Sequence, residues 1–209
     1  MSQYIQGYDG WRSLNESVNG RLPVDSLVKI PIPATEKNQN HKLNAEAAAA
    51  YTAMVAAAAK QGISWGLTDS YRPFEVQDRI FDWDLYRRTG KNRKKGSGGR
   101  VAAAVPGTSN HGWGSALDLR VSNKAGKPGY DAWMWFNSPP KPELQAINKN
   151  AKTNAEVFGF TSLVKIGEPW HWEHKASAKK MKEGKPLVPF FPADNPEGMA
   201  NQVIQNLQK

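Results

Sequence analysis

At 209 residues, 39% hydrophobic and 22% charged, the chain suits one folded domain with or without a tail and is too short for two full ones. The absence of cysteine excludes disulfide scaffolds, thiol nucleophiles and Cys-ligated metal or iron–sulfur centres, and no apolar run approaches the ~20 residues of a membrane-spanning helix. A formal charge of +9 favours a polyanionic surrounding, whether nucleic acid, anionic lipid or an acidic cell-wall polymer, without choosing among them.

The N-terminus lacks a basic start followed by an apolar core, so a protein made in the cytoplasm without a signal peptide is expected. Residues 1–43 are polar and broken by Pro23, Pro31 and Pro33, which predicts an irregular wrap. Asn44 suits the cap of a helix from Ala45 to about Lys60, in which ten of residues 45–59 are alanine. Leu43, Ala47, Tyr51, Met54, Val55 and Ala58 form its apolar stripe, and Gly62 suits its end. Residues 63–71 alternate like a strand. Pro73 opens a second predicted helix carrying Phe74, Phe81 and Leu85, which ends near Gly90. From Arg87 to Arg100 seven basic residues stand together with no acid among them, in a glycine-rich loop.

A glycine-punctuated stretch, 106–114, leads to a predicted strand at 116–121. A third helix is expected from Pro142 to about Phe158, with Leu144, Ile147, Ala151, Ala155 and Phe158 on one face. Residues 167–174 read as a turn and a short strand. Beyond 176 the chain is Lys-rich, then Pro-rich, then polar, which draws a domain at 1–176 and a basic, Pro-containing tail at 177–209. Strands separated by helices, with short strands late, predict an α+β fold with a small antiparallel sheet flanked by helices.

The four histidines are His41, His111, His171 and His174. His111, Asp118 and His171 form a three-ligand set of the kind catalytic zinc uses, and Gly112 and Gly114 would let His111 and Asp118 converge. Strand alternation puts His171 and Glu173 on one face, and Trp170, Trp172 and His174 on the other. Glu168, before the bend at Pro169, can reach back beside His171 as a general base. The competing reading is ordinary: a His beside a Trp is commonly a packing residue, His41 sits in a polar loop, and Asp69, Glu75 and Glu173 suit surface or cap roles. Trp113, Trp170 and Trp172 serve either as cleft walls or as core.

Three motifs in order carry a resemblance. Ser109, His111, Gly114, Ala116 and Asp118 match Ser-x-His-x-x-Gly-x-Ala-x-Asp; Glu168 and His171 match Glu-x-x-His; Ser70, Tyr71, Arg72 and Gln77 match a Ser-x-Arg segment followed by Gln. Over roughly residues 20–175 the chain resembles the VanY/VanX-like M15 zinc peptidases, which comprise D-Ala-D-Ala carboxypeptidases and phage L-alanyl-D-glutamate endolysins. Asn19-Gly-Arg-Leu-Pro23 is similar to the lead of actinobacterial and actinophage members.

The resemblance implies a Hedgehog/DD-peptidase-like fold and Zn2+ held by His111, Asp118 and His171. It implies Glu168 as general base for the water that zinc activates, and Arg72 as the group steadying the substrate oxygen. Ser109, Tyr71, Gln77 and Trp170 become substrate contacts. The expected function is cleavage of a peptidoglycan stem peptide by a monomeric phage endolysin acting at the bacterial cell wall. The alternatives are a bacterial D-Ala-D-Ala carboxypeptidase and a catalytically silent zinc-containing wall-binding domain. Lys91, Arg93, Lys94 and Lys95 are expected to hold anionic wall polymer, with no membrane partner and no specific nucleic acid, since the loop interleaves no aromatics. Two departures stand out: the 91–100 segment is longer than the family pattern, and the base is Glu168 where many phage enzymes carry Asp, which leans toward D,D cleavage.

Overall fold

The computed structural model describes residues 18–33, 38, 40–89, 103–163 and 167–185, apart from the side chains of Leu85 and Thr89. Its centre is a four-stranded antiparallel sheet in the order β3-β4-β6-β5, formed by β3 (Leu67–Asp69), β4 (Ala116–Leu119), β5 (Phe160–Leu163) and β6 (Glu168–His174). One face of that sheet packs on α1 (Ala45–Ala59), burying Leu67, Leu117, Leu119, Phe160 and Trp172 with Tyr51 and Met54. The architecture is the expected α+β one.

Helix α1 forms as the sequence predicts. Asn44 Oδ1 accepts from the Ala47 N–H at 2.9 Å, and every residue of the apolar stripe is buried except Val55, which is half-buried. Alanine on the inner face lets the helix approach the sheet closely. Gly62 closes it at φ +71°, a conformation that only glycine adopts cheaply.

Elsewhere the elements are shorter than the periodicity predicts. The N-terminal wrap contains an antiparallel ribbon, β1 (Leu27–Lys29) on β2 (Lys42–Asn44). The helix after Pro73 is two, α2 (Phe74–Ile80) and α3 (Trp83–Thr89), with Phe81 extended between them. That break lets Phe81 meet Trp83 and Tyr86, while the Trp83 indole N–H bonds Asp78. The predicted 142–158 helix is also two, α5 (Pro142–Gln145) and α6 (Asn154–Val157). Gln145 donates to the carbonyls of Asn148, Lys149 and Ala151, and Thr153 caps α6, so local side-chain bonds replace the helical ladder. The apolar face survives the break, because Leu144, Ala151, Ala155 and Phe158 remain buried.

The aromatic-rich α4 (Tyr130–Asn137) precedes this pair and puts Trp135 and Phe136 against Trp65. The boundary drawn at residue 176 falls inside α7 (Lys175–Lys182), whose Ser177 and Ala178 are buried. The basic segment 91–100 and the stretch 186–209 lie outside the described residues.

Candidate active site

The loop that carries His111 is clamped on three sides. Ser109 caps a 3-10 turn, Asn110–Trp113, by accepting from the His111 N–H. Gly114 ends the turn at φ +61°, and a Cβ there would lie 2.7 Å from the Asn44 nitrogen. Gly112 lies so close to Asn19 and Gly20 that a Cβ would meet the Asn19 carboxamide. Gly20 and Gly112 are joined through the backbone, Asn19 Nδ2 donates to the Ser109 carbonyl, and the Arg72 N–H reaches the His111 carbonyl. The glycines that suggested convergence of His111 and Asp118 therefore serve close backbone approach as well as turning.

Strand pairing supplies the other two members. Asp118 of β4 lies directly opposite His171 of β6, and Leu117 and Trp172 point from the same pair of strands into the core. Alternation thus puts Asp118, His171 and Glu173 on the face away from α1, as predicted for His171 and Glu173. His111 Nε2, Asp118 Oδ1 and His171 Nδ1 converge: Nε2 to Nδ1 is 3.2 Å, Nδ1 to Oδ1 2.9 Å, and Nε2 to Oδ1 3.4 Å. Their ligating atoms lie within 4.8 Å of one another, a group able to hold a metal ion.

The partners behind the rings decide the tautomers. His111 Nδ1 is 2.7 Å from the Ser70 carbonyl, which can only accept, so Nδ1 carries the proton and Nε2 offers its lone pair. His171 has a carboxylate at each edge, Glu173 Oε1 3.1 Å from Nε2 and Asp118 Oδ1 2.9 Å from Nδ1, so when the ring is neutral with its proton on Nε2 the Nδ1 lone pair joins that of His111. Three electron pairs then face one point, an arrangement that only a cation or a proton satisfies. Without an ion, a proton on His171 answers the same demand. Burial lowers the pKa of His171, but Asp118 and Glu173 outweigh it and raise the ring to about 9. Burial likewise opposes the charge on Asp118, yet bonds to His111 and His171 hold its carboxyl far below the usual range.

Arg72 stands beside this group. Its Nε donates to Asp69 Oδ2 at 2.7 Å, its Nη1 to Gln77 Oε1 at 2.7 Å, and its Nη2 lies 3.5 Å from Asp118 Oδ2. Gln77 is buried, with Nε2 donating to the Ala104 carbonyl, so both ends of its amide are engaged inside the protein. Asp69 also accepts from the Ser70 N–H, which joins the Arg72 segment to the residue behind His111.

Of the remaining predicted residues, Glu168 opens β6 and is half-buried. The β5–β6 register jumps there, from Ser162 opposite Trp172 to Leu163 opposite Glu168, so residues 169–171 bulge and regular alternation does not govern Glu168. The Tyr71 hydroxyl accepts from the Leu22 N–H, and Trp170 is 40% exposed. His41 departs from the solvated loop expected of it. It is buried, with Nδ1 bonded to Ser70 Oγ at 3.0 Å. Asp69 and Glu173 likewise leave their expected surface roles for places behind Arg72 and His171. For Glu173 the signal was present in the sequence, since it shares a strand face with His171. Nothing in the sequence ties His41 to Ser70, 29 residues on.

The family model described as D-alanyl-D-alanine carboxypeptidase, VanY, matches residues 40–177. The chain belongs to the VanY family. The matched span starts beside His41, ends at the buried Ser177 and encloses every residue of the site. VanY-family relatives include YodJ of Bacillus subtilis (strain 168), named as a carboxypeptidase, at 29% identity over 159 residues. That match covers 71% of this chain and 52% of YodJ, so the chain spans about half the length of that relative. The peptidoglycan L-alanyl-D-glutamate endopeptidase CwlK of the same organism is 29% identical over 135 residues, 65% of this chain and 71% of CwlK. Among solved structures, a mutant of the vancomycin-resistance D,D-pentapeptidase VanY in complex with Zn(II) aligns at a TM-score of 0.42 and 22% identity, covering 74% of this chain and 90% of that one.

Proposed function

We propose that the chain is a zinc peptidase that hydrolyses a peptide bond in the peptidoglycan stem peptide, acting as a phage endolysin at the bacterial cell wall. The observation that carries this reading is the convergence of His111 Nε2, Asp118 Oδ1 and His171 Nδ1, with an acceptor behind each imidazole to hold the proton of its other nitrogen. Two imidazoles and one carboxylate are a donor set that fits Zn2+ and leaves a position open for substrate or water. A zinc ion held there would supply Lewis-acid polarisation of the scissile carbonyl and would lower the pKa of water toward ~7.

The chain's own groups do the rest. Glu168, three residues before His171 on β6, takes the proton of the attacking water and passes it to the leaving amine as the carbon–nitrogen bond breaks. Arg72, its guanidinium held by Asp69 and Gln77, is fixed before substrate arrives, so it steadies charge on the scissile oxygen at little reorganisation cost. Tyr71 and Trp170 are the proposed substrate contacts, whereas the buried Ser109 and Gln77, expected as contacts too, act through the His111 turn and through Arg72. The basic residues Lys91, Arg93, Lys94 and Lys95 keep the enzyme on anionic wall polymer through a long-range attraction that salt screens.

A second reading, removal of the terminal D-Ala, is favoured by the VanY match and by Glu168 at the base position. Mass spectrometry of muropeptides incubated with zinc-loaded protein separates the two. Release of the stem peptide from L-Ala supports the endolysin, and loss of one D-Ala supports the carboxypeptidase. Glu168→Gln is expected to abolish either product while zinc stays bound. A fully active Glu168→Gln would refute the assigned base, and no product from the wild type would move the choice to a silent wall-binding domain.

A further inference from the structure

Resting on the zinc reading above, we infer that Glu173 is a positioning residue of the metal site: it sets which ring nitrogen His171 presents and joins the two ligand-bearing segments. Position in the sheet comes first. Glu173 lies two residues beyond His171 on the same strand face, opposite Ala116, while Asp118 lies opposite His171. Asp118 therefore meets the Nδ1 edge of the imidazole at 2.9 Å, and Glu173 meets the Nε2 edge at 3.1 Å. The two carboxylates hold the ring from opposite edges. Only the Nδ1 edge is shared with His111.

The second observation is that the same oxygen, Glu173 Oε1, accepts from Asn110 Nδ2 at 2.7 Å. Asn110 is the first residue of the turn that carries His111, 63 positions away in sequence. One carboxylate oxygen thus ties the His111 turn to the His171 strand, so the spacing of the two imidazoles depends on it. Its side chain is only 12% exposed, and a carboxylate that far from water persists only with such partners. A carboxylate behind a ligating imidazole fixes its tautomer and makes the ring a stronger donor; losing such a partner weakens metal affinity by about 10–100-fold.

The test compares wild type, Glu173→Gln, Glu173→Ala and His111→Ala. Zinc affinity is read by competition with a chromophoric chelator, and the fold of each protein by its melting temperature in excess chelator. Gln keeps the shape and one acceptor oxygen able to take both bonds, but loses the charge. Glu173→Ala is expected to bind zinc about 10–100-fold more weakly, and Glu173→Gln to fall between it and wild type. In chelator Glu173→Gln melts close to wild type, Glu173→Ala melts lower for the two bonds it loses, and His111→Ala loses the zinc. At saturating zinc, kcat on a muropeptide falls and KM holds. Both Glu173 variants binding zinc as tightly as wild type would overturn the inference and leave the zinc reading standing. A wild type that does not compete for zinc removes both. Should Glu173→Ala fail to fold, Glu173→Gln decides alone, and its wild-type affinity would refute the role.

Discussion

Acid should unfold this protein partly through one buried ring. His174 ends β6 and caps α7, with Nδ1 accepting from the Ser177 N–H at 3.3 Å. Its other nitrogen faces Gly159, where a Cβ would lie 2.7 Å away, and the ring stacks edge-on to Phe160 at 5.3 Å. Protonation would turn Nδ1 from acceptor to donor against an N–H, at a helix N-terminus that already disfavours positive charge. Burial is the main force lowering its pKa; Glu46 opposes it and Lys180 adds to it, and the result is about 4 against an ordinary 6.5.

The folded pKa lies below the unfolded one, so the neutral ring stabilises the fold fully above pH ~6.5. That stability is lost as pH falls from 6.5 through 4. A gap of that size at about 1.4 kcal/mol per unit corresponds to ~3 kcal/mol, or about 6–12 °C in melting temperature for a domain of this size. The assay is thermal unfolding from pH 7.5 to 4 for wild type and His174→Asn, which keeps an acceptor for the Ser177 N–H without the titration. Other acid-sensitive groups act in both proteins and cancel in the difference. The stability gap should shrink by about 3 kcal/mol toward pH 4. A gap that stays constant would refute the reasoning and leave His174 as a plain packing residue.

Two further outcomes are expected. Asp69→Ala frees both Nε and Nη2 of Arg72 and leaves a guanidinium that is only 12% exposed with weaker partners. Peptidase kcat/KM should fall at least about 10–100-fold, the worth of a charge-assisted contact, with zinc affinity retained; an unchanged rate would show that Asp69 does not hold Arg72 for catalysis. Replacing Lys91, Arg93, Lys94 and Lys95 by Ser should weaken sedimentation with purified walls, most clearly at low salt, and spare cleavage of a small soluble peptide. Equal loss in both assays would assign those residues to the active site instead.

Much of the site was legible because its chemistry is local. His111 and Asp118 are seven residues apart around two glycines, and Glu168 and His171 share one strand. Those spacings, with the order of the motifs, carried the resemblance. The Asn44 cap and the alanine stripe made α1 readable for the same reason. Legibility failed where local side-chain bonds cut a periodic pattern, as Gln145 and Thr153 do between α5 and α6. It failed too where a polar residue is kept buried by a distant partner, as His41 is by Ser70.

The donor types, the family motifs and the strand face that His171 shares with Glu173 are local properties and are written in the sequence. Long-range packing sets which nitrogen each histidine turns toward the other ligands. That choice depends on acceptors behind the rings, and one of them, the Ser70 carbonyl, lies 41 residues from His111. Packing also decides that Glu173 is withdrawn from water and that Asp69, a third exposed, is turned onto Arg72. A carboxylate goes where its hydrogen-bond donors are, and the donors that hold Glu173 and Asp69 are brought to them by the β4–β6 pairing and by the turn after β3.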